Sequence, residues 1–456
     1  MTQALLIEHA SVIDGTGIGP VRKSVLVEGG VIAAIGAEAD ARAAHARSVD
    51  KLDAAGLTLM PGLIDTHCHL SFDDAASNAE LFFHRRHALS AIVATANAKK
   101  LLRAGVTGVL DPDSVFETMV DVRDAIDTGV VEGPRIACGC YALITGVGGT
   151  AGALIRDEGV TGYYKVVRDS AEIVAEVRRQ IKLGADWIKV HVTGIVPRQA
   201  HRGEMCAWSQ DELSLICSTA HDLGTPVMGH CRGADATFKA AKAGFDLLFH
   251  ATGMDDRALE AVTDKKIPIS PALTFQANMV DFGEKIGTSP ALIAMFEREI
   301  TDSAESLGRA FRAGVPLLCG SEAGFTMVPY GEWHYREMEV FVRYLGLSPL
   351  EAISCGTRAG AVALRLDGKV GVIAPGRMAD LICVAGDPSE DVTVLGEPGA
   401  IRHVMVGGRM MDLTPPAPRA PIPGWTLAAM GSRLTREVAF SNAPMPASAF
   451  AVGELH

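Results

Sequence analysis

Three stretches of this chain follow one plan: an amphipathic run, a glycine turn, then a short apolar run ending in polar residues. They are VRRQIKLGADWIKVHVTG (177–194), ICSTAHDLGTPVMGHC (216–231) and LGRAFRAGVPLLCGSE (307–322). Each reads as helix, turn and buried strand. A strand buried on both faces needs helices to cover it, so repetition of the unit dictates an α/β architecture. The same texture runs from about Met60 to Leu364, with polar residues collecting just past the strand ends. This pattern predicts a (β/α)8 TIM-type barrel whose site lies at the C-terminal face. A doubly wound sheet is the alternative, but no G-x-G-x-x-G opens a helix after the first strand.

The two ends have a different texture. LLIEHASVID and SVLVEGGVIAAIG flank the turn cluster GTGIGP, a hairpin signal, and GVIAPGRMADLICVAGD and IRHVMVGGRMMD return to the same pattern near the other end. The ends are therefore expected to pair in one small β domain. After Asp412, LTPPAPRAPIPG stops regular structure, and TLAAMGSRLTREVAF is a candidate helix in an arm packed on its own domain or on another subunit.

Composition excludes several partners. Asp and Glu number 54 against 42 Lys and Arg, a net charge of -12, which disfavours phosphate backbones and anionic lipid. Aromatic residues are only 5%, too few for a stacking platform for single-stranded nucleic acid. No basic segment precedes an apolar core at the N-terminus and no long apolar run occurs, so neither a signal peptide nor a membrane span is expected and the chain reads as cytoplasmic. The nine cysteines include no C-x-x-C, so most are expected to be small buried thiols rather than a disulfide framework or a zinc knuckle.

The chemistry gathers at strand ends. PGLIDTHCHL closes an apolar strand with His67-Cys68-His69, and residues two apart at a strand end point the same way, so both imidazoles can converge on one ion. Two histidines at this spacing also line polar surfaces that bind no metal. Lys189 lies in the apolar strand of GADWIKVHVTG, where a buried ammonium must be paired, lowered in pKa or modified. A neutral buried lysine can take up CO2 as a carbamate, whose two oxygens can bridge a metal pair. His230 in GTPVMGHCRG and His250 in FDLLFHATGMDD end two further strands, and Glu322 in VPLLCGSEAGF brings a carboxylate to the last. That carboxylate can hold a metal and accept a proton from water. His191, His221 and His334 are not selected by their spacing.

These residues resemble, in order, the amidohydrolase superfamily in its imidazolonepropionase-like and prolidase-like branch. The similarity covers nearly the whole chain, including SVIDGTG and GVIAPGRMADLICVAGDP, which resemble the superfamily's flanking β-sandwich. The resemblance implies a barrel at 60–365, sandwich parts at 1–59 and 366–412, and a tail at 413–456. It implies metal ligation by His67, His69, a carboxylated Lys189, His230, His250 and Glu322, with Glu322 and Lys189 in catalytic roles. One or two divalent ions are implied, zinc first, with manganese, cobalt or iron as alternatives. A homo-oligomer acting on a small molecule is expected.

Three departures stand out. Ser321-Glu322-Ala323-Gly324 replaces T-D-A-G, lengthening the last carboxylate by one methylene. His230-Cys231-Arg232-Gly233 replaces H-A-H-G, and Arg232 is then a candidate for binding a substrate carbonyl or carboxylate, or for a structural ion pair. Thr145-Gly146-Val147-Gly148-Gly149 lacks the histidine of T-G-G-H-G.

The implied reaction is hydrolysis of a C–N bond in an amide, urea or carbamoyl compound, with Glu322 as base. Relatives resembling this branch act on phenylureas, thiocarbamates and acylated amino acids, and the apolar surroundings favour a largely uncharged substrate. A ring deaminase is the second reading. Such members carry a glutamate three residues after the fifth-strand histidine and no modified lysine, whereas here residue 233 is Gly and Lys189 is present. A non-catalytic assembly protein is the third, opposed by the retained histidines and lysine.

Overall fold

The computed structural model describes residues 4–76, 86–147, 162, 164–195, 204–417 and 433–441. The predicted helix–turn–strand units are present. Helix Ser170–Leu183 starts at Asp169, whose side chain accepts from Glu172 N, and stops at Gly184, whose φ of 99° is the left-handed conformation that glycine tolerates. It buries Ile173, Glu176, Val177 and Gln180, a stripe at helical spacing, against the sheet. Helix Gln210–His221 opens with a reciprocal capping box between Ser209 and Glu212.

The buried strands are parallel. One sheet runs Tyr164–Val167, Ala142–Thr145, Ile188–His191, Val227–Arg232, Leu247–Thr252 and Ile269–Ser270; a second runs Arg135–Cys138, Val106–Asp111 and Leu63–Asp65. Backbone hydrogen bonds connect the two sheets on both sides. Asp186 N donates to Cys138 O at 2.8 Å, while residues 316–323 reach Ile269 on one flank and His67 and His69 on the other.

That last segment departs from the sequence reading. A continuous strand ending at Glu322 was the expectation, but residues 315–323 form only isolated parallel bridges, Leu317 with Ile269 and Ala323 with Cys68. Glu322 has φ 59°, in the left-handed region, which interrupts the extended backbone between the bridges at Leu317 and Ala323. Gly320 lets this segment lie against the first strand. A Cβ there would stand 2.7 Å from His67 Cβ.

The chain ends meet in a six-stranded sheet of Arg409–Met410, Ile401–Val406, Leu381–Ala385, Leu57–Pro61, Ser11–Val12 and Val21–Arg22, in which Leu381 pairs antiparallel with Pro61. A four-stranded sheet of Val31–Ile35, Val25–Glu28, Ala4–Glu8 and Val49–Asp53 accompanies it. Ile7, Val25, Ile32, Leu59, Leu381 and Met405 belong to one core, distinct from the core beneath the parallel strands. Gly15, at φ 84° in the predicted turn, packs so closely that a Cβ would meet Gly371 O at 2.5 Å. Arg135 joins the two parts by a bidentate pair with buried Asp380, at 2.6 and 3.0 Å.

Within the tail, helix Arg436–Phe440 is the described part of the predicted helix. Trp333 Nε1 donates to Leu434 O at 2.8 Å, so this part packs on its own chain. Residues 418–432 and 442–456, and Gly148 and Gly149 of the Thr145–Gly149 loop, lie outside the described residues. All nine cysteines are free, and all but Cys206 are buried. Among the described residues, no helix is long and apolar enough to cross a membrane.

Candidate functional site

The predicted site residues come together. His67, His69, Lys189, His230, Arg232 and Glu322 line one cavity of about 90 Å³ at the C-terminal ends of the parallel strands, with Phe72, Asp113, His191, Glu204 and Phe325. His250 borders it, its Nε2 standing 3.0 Å from His230 Nδ1. A larger hollow of about 600 Å³, walled in part by Lys100, Tyr330, Glu397 and Arg436, contains none of the predicted site residues.

Asp65 builds the H-x-H end of the site. Its Oδ1 accepts from His67 N and Ser321 N at 3.1 and 3.0 Å, and its Oδ2 accepts from Ser321 Oγ at 2.5 Å. His334 Nδ1, 2.7 Å from that second oxygen, holds the carboxylate in turn. One acid thus ties His67 to the segment carrying Glu322. Glu322 N donates to His67 O at 2.7 Å, which brings the two side chains to the same place.

Two arrangements fit a cation. Ligand atoms of His67, His250 and Glu322 lie within 4.8 Å of one another, as do those of His67, His69 and Asp113. His67 Nδ1 and Glu322 Oε2 are buried without a hydrogen-bond partner among the described residues. Orphaned polar atoms are costly in a protein interior, and imidazole with carboxylate is a donor set that suits a divalent transition ion. Glu322, despite its extra methylene, reaches this cluster.

Charge within the site is dense. Lys189 is 1% exposed, lies 3.7 Å from Asp113 Oδ1, and has its Nζ 4.2 Å from the centre of the Phe249 ring. Burial lowers its pKa, against the opposing pull of Asp113 and Glu322. Burial, with help from Lys189 and His69, holds His67 well below the usual range, and burial with Arg232 and His230 does the same to His250. Both are therefore neutral and able to ligate. Burial also raises the Glu322 carboxyl, although Arg232 pulls it down.

Arg232 is paired on two sides. Its guanidinium bonds to Glu299, which also accepts from Gln276, and its Nε lies 3.5 Å from Glu204 Oε1. Phe72, also in the lining, stacks on His69 with ring centres 4.3 Å apart, and Phe325 meets Phe72 edge-on at 5.4 Å. The cavity lining therefore combines charged groups with aromatic rings.

Sequence reasoning missed Asp113 and Glu204 and left His191 unselected. Asp113 Oδ1 lies 3.1 Å from His69 Nδ1, and Asp113 Oδ2 lies 2.6 Å from His191 Nε2. Burial opposes the charge on Asp113, but Lys189 and His69 outweigh it and hold its carboxyl well below the ordinary range. Burial brings His191 down to about 4. Both residues carried a signal. Asp113 follows the end of strand Val106–Asp111, and His191 lies two residues beyond Lys189, the same alternation that selected His69. Glu204 carried none, since it enters the cavity from the segment before the short strand Met205–Cys206.

Residues 58–411 match the amidohydrolase family. Ochratoxinase of Aspergillus niger is 28% identical over 425 residues, 89% of this chain and 86% of its own. Imidazolonepropionase of Ralstonia nicotianae is 26% identical over 389 residues, 80% of this chain and 87% of its own. The crystal structure of a Xaa-Pro dipeptidase with bound methionine in the active site aligns with TM-score 0.76 at 28% identity, covering 90% of this chain and 100% of that one.

Proposed function

Because this chain belongs to the amidohydrolase family, and is thereby a metal-dependent hydrolase acting on C–N bonds, we propose that it cleaves amides joining an apolar acyl group to an amino acid. The observation that carries this reading is the group of His67, His250 and Glu322 ligand atoms within 4.8 Å of one another, at a cavity also lined by Phe72 and Phe325. His67, His69, His230, His250 and Glu322, with Lys189 as ammonium or carbamate, would hold one or two ions, zinc first and manganese, cobalt or iron as alternatives. When bound, such an ion supplies Lewis-acid polarisation of a carbonyl and acidifies water.

The chain's own residues do the rest. Glu322, raised by burial, takes a proton from water and returns it to the departing nitrogen. Arg232, held by Glu299 and Glu204, aims at a substrate carbonyl or carboxylate. Phe72 and Phe325 pack the apolar group and exclude water. The dipeptidase among the similar structures favours an acylated amino acid over a urea.

The proposed architecture is a closed (β/α)8 barrel over residues 60–365 with a β-sandwich from 1–59 and 366–412, supported by the hydrogen bonds that link the parallel sheets on both sides. The proposed setting is a cytoplasmic homo-oligomer; nine free thiols suit a reducing compartment.

The test is a substrate panel with the zinc-loaded full chain: dipeptides and N-acyl amino acids with apolar groups, aryl ureas, thiocarbamates and ring amidines. The reading expects an organic amine or amino acid to be released, fastest from the amides. Ammonia from ring substrates alone would replace it with a deaminase. No turnover on any compound by metal-loaded protein would favour an assembly role.

A further inference from the structure

Glu204 belongs to no motif, yet its carboxylate lies inside the cavity. Three groups hold it. Thr193 Oγ1 donates to Oε2 at 2.8 Å, His230 Nε2 stands 3.0 Å from the same oxygen, and Arg232 Nε lies 3.5 Å from Oε1. Thr193 Oγ1 also accepts from Arg232 N at 3.0 Å, so the acid is anchored to the end of strand Val227–Arg232 as well.

The other edge of the His230 ring shows what this contact does. His230 Nδ1 stands 3.0 Å from His250 Nε2. A neutral imidazole carries one N–H, and an ionised carboxylate only accepts. With the proton drawn to Nε2 by Glu204, Nδ1 is left as a lone pair turned toward His250. We infer that Glu204 is a positioning residue, which holds His230 in the Nε2–H tautomer so that Nδ1 is presented, beside His250 Nε2, to a divalent cation. The inference rests on the reading of His230 and His250 as ligands. It adds that this half of the site depends on an acid outside the ligand set. His69 is held elsewhere, with its Nδ1 3.1 Å from the backbone carbonyl of Asp113, so the two halves can fail separately.

The test uses the full-length chain, with zinc affinity read by competition against a chelating dye. Heteronuclear NMR of the histidine ring nitrogens reports the tautomer, and the His230 signal is identified by its loss in His230→Asn. Glu204→Ala is expected to weaken zinc binding by about 10- to 100-fold, the usual cost of removing a partner behind a ligating histidine, and to shift His230 away from Nε2–H. Glu204→Asp, which keeps the carboxylate, should recover part of both. Should Glu204→Ala fail to fold, Glu204→Gln serves in its place with the same expected direction, because an amide offers N–H as well as oxygen to the ring. Zinc affinity within about twofold of the parent overturns the inference. So does weaker zinc with His230 still in the Nε2–H form, the mark of a merely structural role. A parent chain that binds no zinc at all would overturn the ligand reading beneath it.

Discussion

At Glu322 a single methylene sets how a carboxylate meets its partners. One extra C–C bond is about 1.5 Å, large against a metal–oxygen tolerance of about 0.2 Å. Glu322 at φ 59°, like His250 at φ 66° and Ala251 at φ 46°, occupies the left-handed region, which costs roughly 1–2 kcal/mol for a residue with a side chain. Such strain at two candidate ligands marks a place where geometry has been kept at the expense of stability. Glu322→Gln is expected to lower turnover by about 10²- to 10⁴-fold while the histidines retain most of the metal. Steady-state kinetics with elemental analysis checks this, and activity within about tenfold of the parent in metal-loaded variant would remove Glu322 from proton transfer. The residues selected from sequence were visible because each ends an apolar run. Asp113 obeyed the same rule and passed unnoticed, His191 was set aside although it lies two residues beyond Lys189, and Glu204 reaches the cavity only through tertiary packing.

Elements were legible where periodicity and caps agree, as in Ser170–Leu183, and illegible where tertiary contacts decide. Nothing local in VPLLCGSEAGF announces that its ladder breaks at a left-handed glutamate. Helix Thr274–Phe282 is a similar case. It has no side-chain cap of its own, and Glu337 from a later helix supplies one, accepting from Leu273 N, Thr274 N and Thr274 Oγ at 3.0, 2.8 and 2.7 Å. That helix carries Gln276, a partner of Glu299, and Phe275, which meets Phe325 edge-on, so its placement shapes the cavity. Burial pushes the Glu337 carboxyl from 4.5 up to about 8. The native state therefore keeps a proton that the unfolded chain releases. This contribution to stability is full below pH 4.5, declines through the interval and is gone above about 8. Relative to Glu337→Gln, which cannot ionise, the parent should lose stability as pH rises from about 5 to 8, with a slope approaching about 1.4 kcal/mol per unit. Thermal unfolding of both proteins across that range checks the sign, and a difference independent of pH would contradict it.

At the scale of the whole molecule, parallel strands buried under helices place the polar residues of their C-terminal ends around one cavity, while the two chain ends pair in sheets of their own. The pairing of Leu57–Pro61 with Leu381–Ala385 was foreshadowed by matching β texture at both ends, but its register came only from the structure. The central claim is that the cluster of His67, His69, His230, His250 and Glu322 is a metal site on which hydrolysis depends. The most direct measurement is titration of chelator-stripped full-length protein with zinc while amine release from an N-acyl amino acid is followed. Activity should be absent without metal, rise in proportion to zinc added, and saturate at one or two ions per chain, with no such recovery in His67→Asn. Full activity in protein whose elemental analysis shows well under one transition metal per chain would contradict the account.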